Sequence, residues 1–379
     1  MKFAKEFKNK IFNITGSRPV PACSVPKGSG NFRKDRNNSQ AFENLAIELF
    51  HYQAANNNIY KEYLKFLKIN AKKVNTLFQI PFLPIGFFKT HKIITGKGAE
   101  EQIFLSSGTT GGSTSKHHIL DISLYEKSFR KGFEHFYGNI EDYCILALLP
   151  THSESSSLVY MVKKWIEKSS HKDSGFYLKS EGHNRGLNDI QELTNKLNKL
   201  ENGKQKVLLF GTSFALLDFI ETVHETSLPD LKNTIIMETG GMKGQRKEIV
   251  REALHKKLSD AFGVKAIHSE YGMTELLSQA YSKTGGVFKP PPWMKIFIRE
   301  LNDPLTITRF NKTGGINIID LANIHSCAFI ATDDLGKIYK DGSPEGATPG
   351  VYSDIVGGTS FEILGRIDNS DVRGCNVII

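Results

Sequence analysis

The chain has 379 residues, 39% of them hydrophobic and 23% charged, and a formal net charge of +9. That length exceeds one ordinary core, so two domains or one large core with an appendage is expected, the composition is that of a globular protein, and no stretch approaches the ~18 apolar residues of a membrane span. The lysines are dispersed and not interleaved with aromatic clusters, so the basic balance points to anionic small ligands; no nucleic-acid partner and no membrane span are expected.

The N-terminal "MKFAKEFKNKIFNITG" is basic but lacks the apolar run of a secretory signal. Residues 17–38 are rich in Pro, Gly, Ser, Asn and charge and read as an irregular lead-in. A helix is predicted next, with Phe42, Leu45 and Leu49 on one face and Ser39 as its cap, and Tyr60, Tyr63, Leu64 and Leu67 repeat the pattern. "IPFLPIGFFK" holds two prolines and reads as an extended approach to the glycine-rich stretch that follows. From Tyr143 onward, unbroken apolar runs alternate with amphipathic helix patterns. "YCILALLP" precedes "SSSLVYMVKKWIEKS", "KVLLFGTS" precedes "FALLDFIETVH", and "NTIIMETGG" precedes "QRKEIVREALHKKLSDAF" and "KAIHSEYG". In the last of these helices Val250, Leu254 and Leu258 are predicted to share an apolar face with Ile249 and Ala253. Such alternation indicates a parallel sheet covered by helices on both faces, with ligands bound beyond the carboxyl ends of the strands, where "GTS", "ETGG" and "SEYGMTE" fall. After Thr284 short strands joined by turns predict an antiparallel, β-rich part.

"FLSSGTTGGSTSKHH", Phe104 to His118, admits two readings on its own residues. A Gly/Ser/Thr run is a flexible linker, or a loop whose backbone N–H groups and hydroxyls cradle phosphate. It is not a Walker loop, because GxxxxGK[ST] is absent. His117, His118 and His268 are candidates to act on phosphates, with a structural role as the alternative. Of the four cysteines, at 23, 144, 327 and 375, none forms a CxxC pair, which argues against a disulfide framework or zinc site and fits a reducing cytoplasm. Cys144 and Cys327 lie in apolar runs and read as buried small hydrophobes. Cys375 follows Arg373 on what should be an exposed tail, and a neighbouring guanidinium favours the nucleophilic thiolate.

"SSGTTG", "YGMTE", "ATDDLG" and "LGRID" occur in this order, and together they resemble the adenylate-forming superfamily. With "PFLPIGFFK", "SKHHILD", "ETGGMKG", "SEYGMTELLSQAY" and "GRIDNSDVRGCN", the resemblance narrows to the LuxE-type acyl-protein synthetases and spans roughly residues 40–379. That resemblance implies an α/β fold: the large N-terminal domain of adenylate-forming enzymes, with parallel sheets, helices on both faces and a β-rich subdomain, without the small lysine-bearing C-terminal domain. Expected divisions are 1–95 (lead-in and helical region), 96–283 (α/β nucleotide- and acyl-binding core), 284–365 (β-rich subdomain) and 366–379 (tail with Cys375).

The resemblance also implies the chemistry. ATP and Mg²⁺ are the expected cofactors, and a fatty acid is the expected substrate; on their own residue types, the apolar residues around Phe87, Phe88, Leu158, Tyr160 and Met161 read either as the lining of a chain-shaped pocket or as ordinary core. Ser106, Ser107, Gly108, Thr109, Thr110 and Gly111 embrace the pyrophosphate, and Gly240 and Gly241 lie against adenine. In "YGMTE", Tyr271, Gly272 and Met273 belong to the ATP site with Tyr271 flanking the base; Thr274 touches the α-phosphate and Glu275 holds Mg²⁺. Asp334 binds the ribose hydroxyls, and Arg366 reaches ribose or phosphate. Cys375 takes the acyl group as a thioester and presents it to a partner resembling an acyl-CoA reductase, in the cytoplasm. Lys116, Lys243 and Arg366 are the candidate sources of the charge that a C-terminal-domain lysine supplies elsewhere. Two alternatives stand beside this reading: a ligase delivering the acyl group to CoA, a carrier protein or an amine, and a nucleotide-binding protein without catalysis.

Overall fold

The computed structural model describes residues 2–14, 30–106, 114–150, 155–178, 187–200, 203–223, 231, 233–240, 250–308, 310–339 and 360–367. Its first helices are α1 (Lys2–Ile11), α2 (Gly30–Asn56) and α3 (Asn58–Phe66). Ser39, expected to cap, lies inside α2, because the helix starts nine residues earlier, at Gly30. A polar stretch is therefore helical here; composition alone reads such residues as loop, but a turn continuous with an anchored apolar helix propagates at little cost. The Pro-rich approach forms β1 (Leu83–Pro84) and a single turn, α4 (Phe87–Thr90). Strands β2 (Gln102–Leu105) and β3 (Lys116–Ile119) pair antiparallel as a hairpin, followed by α5 (Ile122–Tyr137), which Asp121 caps by accepting from the Leu124 amide at 3.2 Å.

The predicted alternation then unfolds as β4 (Tyr143–Pro150), α6 (Ser157–Lys168), β5 (Gly175–Leu178), α7 (Leu187–Leu200), β6 (Lys206–Thr212), α8 (Ser213–Thr222), β7 (Thr234–Thr239), α9 (Arg251–Phe262) and β8 (His268–Tyr271). These strands form a parallel sheet in the order β5-β4-β6-β7-β8, extended by the antiparallel β9 (Ala280–Ser282). The period-2 alternation of β4 feeds two cores. Ile145, Ala147 and Leu149 join a cluster with Phe129, Phe133 and Trp165 of α5 and α6, while Cys144, Leu146 and Leu148 join Leu193, Leu216 and Leu258 of α7, α8 and α9. Both Cys144 and Cys327 are fully buried, and burial pushes each thiol up to about 12. On α9 the buried face is Leu254, Leu258 and Phe262; Val250 is exposed, because the helix starts one residue after it.

The second sheet runs β10 (Val287–Phe288), β14 (Ser360–Arg366), β13 (Phe329–Tyr339), β12 (Thr313–Asp320), β11 (Met294–Arg299), antiparallel throughout, and β1 adds to β13 in parallel. It shares the first core with α1, α2 and α3. Among the described residues no helix is long and apolar enough to cross a membrane.

Candidate active site

The register of the parallel sheet sets the first part of the site. Thr212 pairs with Thr239, and Thr239 with Glu270, so the carboxyl ends of β6, β7 and β8 stand in a row. Gly240 follows β7 at φ +80°, a conformation that favours glycine. A buried polar group lies beneath this rim. Ser213 donates to Glu238 at 2.7 Å, His255 lies 3.4 Å from the same carboxylate, and Thr239 donates its hydroxyl to Glu270. Burial pushes the Glu270 carboxyl up to about 7; the Thr239 hydroxyl opposes this, and Glu238 adds to it.

The segment after β8 carries the "YGMTE" residues. The Tyr271 ring is buried edge-on against both Phe288 and Phe361, and its hydroxyl donates to Asp334 Oδ2 at 2.8 Å. Burial raises the Tyr271 phenol far above its ordinary value, and the Asp334 carboxylate raises it further. Asp334 pairs across the second sheet with Arg366, whose Nε lies 3.4 Å from Asp334 Oδ1. Three residues from three separate motifs thus meet where the two sheets adjoin. Gly272 is glycine for space: a Cβ there would sit 2.6 Å from Glu270 Oε1. Met273 packs against the core.

Thr274 and Glu275 are held from two sides. His117 on β3 places Nδ1 2.7 Å from the Thr274 carbonyl oxygen and Nε2 2.9 Å from Ser326 Oγ. The Ser115 hydroxyl, one residue before the same hairpin strand, favours the charged form of the Glu275 side chain. Asn323 donates to the Glu275 carbonyl at 2.8 Å, and Asp320 at the end of β12 accepts the Leu277 and Ser278 amides at 2.9 and 3.0 Å. Burial raises the Glu275 carboxyl, opposed chiefly by the Ser115 hydroxyl and more weakly by Arg366 and Lys89. Ser106 closes the neck of the glycine-rich stretch: its N–H donates to the Ser115 carbonyl at 3.1 Å, and its Oγ accepts the Ser115 amide at 2.9 Å.

Of the residues expected from sequence, the structure brings together Tyr271, Asp334 and Arg366, and ties Ser106 and Thr274 through the hairpin, while Asn323 holds the Glu275 carbonyl. Ser107, Gly108, Thr109, Thr110, Gly111, Gly241, Lys243, Cys23 and Cys375 lie outside the described residues. His117 and His118 have structural partners: Glu100 takes His118 Nδ1 at 2.6 Å, and the fully buried His117 ring, pushed down to about 4 mainly by burial, is neutral. His268 lies 3.2 Å from the Tyr137 hydroxyl and is likewise pushed down to about 4, first by burial. Phe88 and Met161 are buried core, the former edge-on to His117 at 5.7 Å between ring centroids. Sequence reasoning missed Ser115, Asp320, Asn323 and Ser326. The available signal was a lone acid closing the apolar run "INIIDLAN", since a buried carboxylate implies several donors.

This fold is that of adenylate-forming ligases. It is similar to 2-hydroxyisobutyryl-CoA ligase in an open conformation in complex with 2-HIB-AMP and CoA, with a TM-score of 0.63, 11% identity, and 92% of this chain and 81% of the ligase covered. The same ligase in complex with 2-HIB-AMP and CoA in its thioesterification state also gives 0.63 at 11% identity, over 92% of this chain and 74% of that one. In the postadenylation state with 2-HIB-AMP it gives 0.58 at 11%, over 92% and 73%. No curated protein sequence matches the chain significantly. Residues 32–379 match the family described as acyl-protein synthetase, LuxE, and the chain belongs to that family. Membership makes it an acyl-activating ligase that works through an acyl-adenylate.

Proposed function

We propose that this chain joins a long-chain fatty acid to AMP and passes the acyl group to its own Cys375, from which an acyl-CoA-reductase-like partner in the cytoplasm receives it. The observation that carries the reading is the convergence of Tyr271, Asp334 and Arg366 beside the pinned Thr274–Glu275 segment. A carboxylate is a poor electrophile, and converting it to a mixed anhydride with AMP supplies a good leaving group. A carboxylate oxygen of the acid attacks the α-phosphorus of ATP, the bond to the β-phosphate oxygen breaks, and pyrophosphate leaves with that electron pair. Catalysis of this step is positioning and charge stabilisation.

Each residue takes a part suited to its chemistry. Asp334 accepts from the ribose hydroxyls, with Arg366 as a fixed donor fork beside it. Tyr271 flanks the base with Gly240 and Gly241, Gly272 and Met273 keep the segment close, and Thr274 donates to the α-phosphate. Ser106 to Gly111 wrap the departing pyrophosphate with hydroxyls and backbone N–H groups. Glu275 suits Mg²⁺, because a carboxylate completed by phosphate oxygens is the ligation that ion prefers. Mg²⁺, when bound, neutralises triphosphate charge. In the second half-reaction the Cys375 thiolate attacks the acyl carbon, a thioester forms and AMP leaves.

Intact-protein mass spectrometry after incubation with ATP, Mg²⁺ and a panel of fatty acids tests this. A gain of one acyl group, released by hydroxylamine and absent in Cys375→Ser, is the expected result. Acid-dependent pyrophosphate release without a mass gain assigns delivery to another acceptor, such as CoA, a carrier protein or an amine. The absence of both signals overturns the proposal.

A further inference from the structure

The glycine-rich hairpin and the Thr274–Glu275 segment are far apart in sequence, yet one imidazole joins them. His117 stands on β3, two residues beyond Ser115, and is fully buried. A carbonyl oxygen only accepts, so Nδ1 carries the proton toward Thr274, and in a neutral ring Nε2 accepts from the Ser326 hydroxyl. The anchor behind it is rigid. The Ser326 carbonyl takes Asn57 Nδ2 at 3.0 Å and the Thr95 hydroxyl, and the Thr95 amide donates to the His325 carbonyl at 2.8 Å. Ser326 and Asn57 are both fully buried. The two ring nitrogens therefore divide the work. Nε2 seats the ring on a braced turn, and Nδ1–H holds the backbone of Thr274.

We infer that His117 is a positioning residue for adenylate formation, fixing the Thr274 backbone against the hairpin that carries the glycine-rich loop. The inference rests on the reading of Thr274 as the α-phosphate contact. A polar side chain at this place satisfies the buried Ser326 hydroxyl and the part-buried Thr274 carbonyl, and a purely structural role needs no particular nitrogen. The functional role does: the Nδ1–H bond alone reaches the segment that touches the reacting phosphate.

Two substitutions separate the bonds. Asn places its amide nitrogen near the position of Nδ1 and loses the Ser326 bond; Gln reaches toward Ser326 and loses the Thr274 bond. Full-length wild type, His117→Asn and His117→Gln are compared by amide hydrogen exchange over residues 272–278 and by acid-dependent ATP–pyrophosphate exchange. His117→Gln is expected to speed amide exchange at Leu276, Leu277 and Ser278 by at least about tenfold, because Thr274 loses its tether. It should also lower kcat by at least about tenfold with KM for ATP within about threefold, the pattern of a lost transition-state alignment. His117→Asn should stay within about threefold of wild type on both readouts. Equal behaviour of the two variants, or unchanged amide exchange in His117→Gln, overturns the inference. Wild-type protein without acid-dependent pyrophosphate exchange would instead defeat the adenylation reading, while the amide-exchange comparison still decides whether His117 holds Thr274.

Discussion

Asp320 offers the sharpest test of how the site is held. Its Oδ2 accepts the Leu277 and Ser278 amides at 2.9 and 3.0 Å, and its Oδ1 accepts the Ser278 hydroxyl at 2.6 Å and the Ala322 amide at 3.0 Å. Asp320→Asn keeps one oxygen. With that oxygen on the two amides, the new NH₂ faces a hydroxyl that can turn and accept, and one amide, that of Ala322, which cannot. One orphaned buried amide costs about 1–3 kcal/mol. Burial raises the Asp320 carboxyl, so removing the charge recovers part of this, and the loss belongs at the lower end. Asp320→Ala orphans three amides and leaves a small void, and its cost should exceed about 3 kcal/mol. Urea unfolding followed by tryptophan fluorescence measures both, since Trp293 donates to Ser278 Oγ at 3.0 Å and reports from inside the same network. An Asp320→Ala variant within about 1 kcal/mol of wild type would show that the segment after Glu275 does not depend on this carboxylate.

Other outcomes follow from the same geometry. Glu270, raised from its ordinary 4.5 to about 7, keeps its proton in the folded state while the unfolded chain loses it, so stability should fall as pH rises from 4.5 to about 7. The span is of order 3 kcal/mol, and Glu270→Gln should flatten it in denaturation curves across pH. His117 acts with the opposite sign: its ring, lowered from 6.5 to about 4, costs stability as pH falls through that window, so wild type minus Glu270→Gln is the quantity to plot. Gly211→Ala places a Cβ 2.9 Å from Leu148 Cβ and 3.3 Å from the Leu148 carbonyl oxygen, and should destabilise by about 1–3 kcal/mol in the same urea assay. Tyr271→Phe keeps the ring against Phe288 and Phe361 and removes only its hydrogen bond to Asp334 Oδ2; KM for ATP should change by less than about tenfold, against a larger rise for Asp334→Ala, in pyrophosphate-exchange kinetics.

Much of the fold was legible. "YCILALLP" and "KVLLFGTS" read as strands because a strand covered by helices on both faces has no polar side, and the structure buries β4 and β6 accordingly. The start of α2 was not legible, because the polar residues before Phe42 carry no periodicity of their own. The edge strand β5 and the pairing of β1 with β13 were also hidden: two residues, Leu83 and Pro84, join a strand some 250 positions away, and nothing local announces that. In the site, Tyr271, Asp334 and Arg366 could be named as separate motifs but not joined. The clamps were invisible for the same reason. Gln53 donates to the Asn323 and Ile324 carbonyls and accepts from the Ala328 amide at 2.9 Å, yet in sequence it is one polar residue on a helix.

Sequence by itself determined the alternation of strands and helices, the motifs at the strand ends, the two cysteines destined for the core, and the family. These are local or ordered signals: hydrophobic period, turn chemistry and short runs of residues whose meaning does not depend on what lies opposite. Only the tertiary structure decided that Tyr271 donates to Asp334, that Glu270 shares its buried setting with Glu238, and that His117 spans from the hairpin to Thr274 and Ser326. Those contacts join residues more than thirty and up to about two hundred positions apart. A buried polar group takes whichever partner the packed chain brings within hydrogen-bond reach, and burial, which follows from packing, sets both its charge and its tautomer.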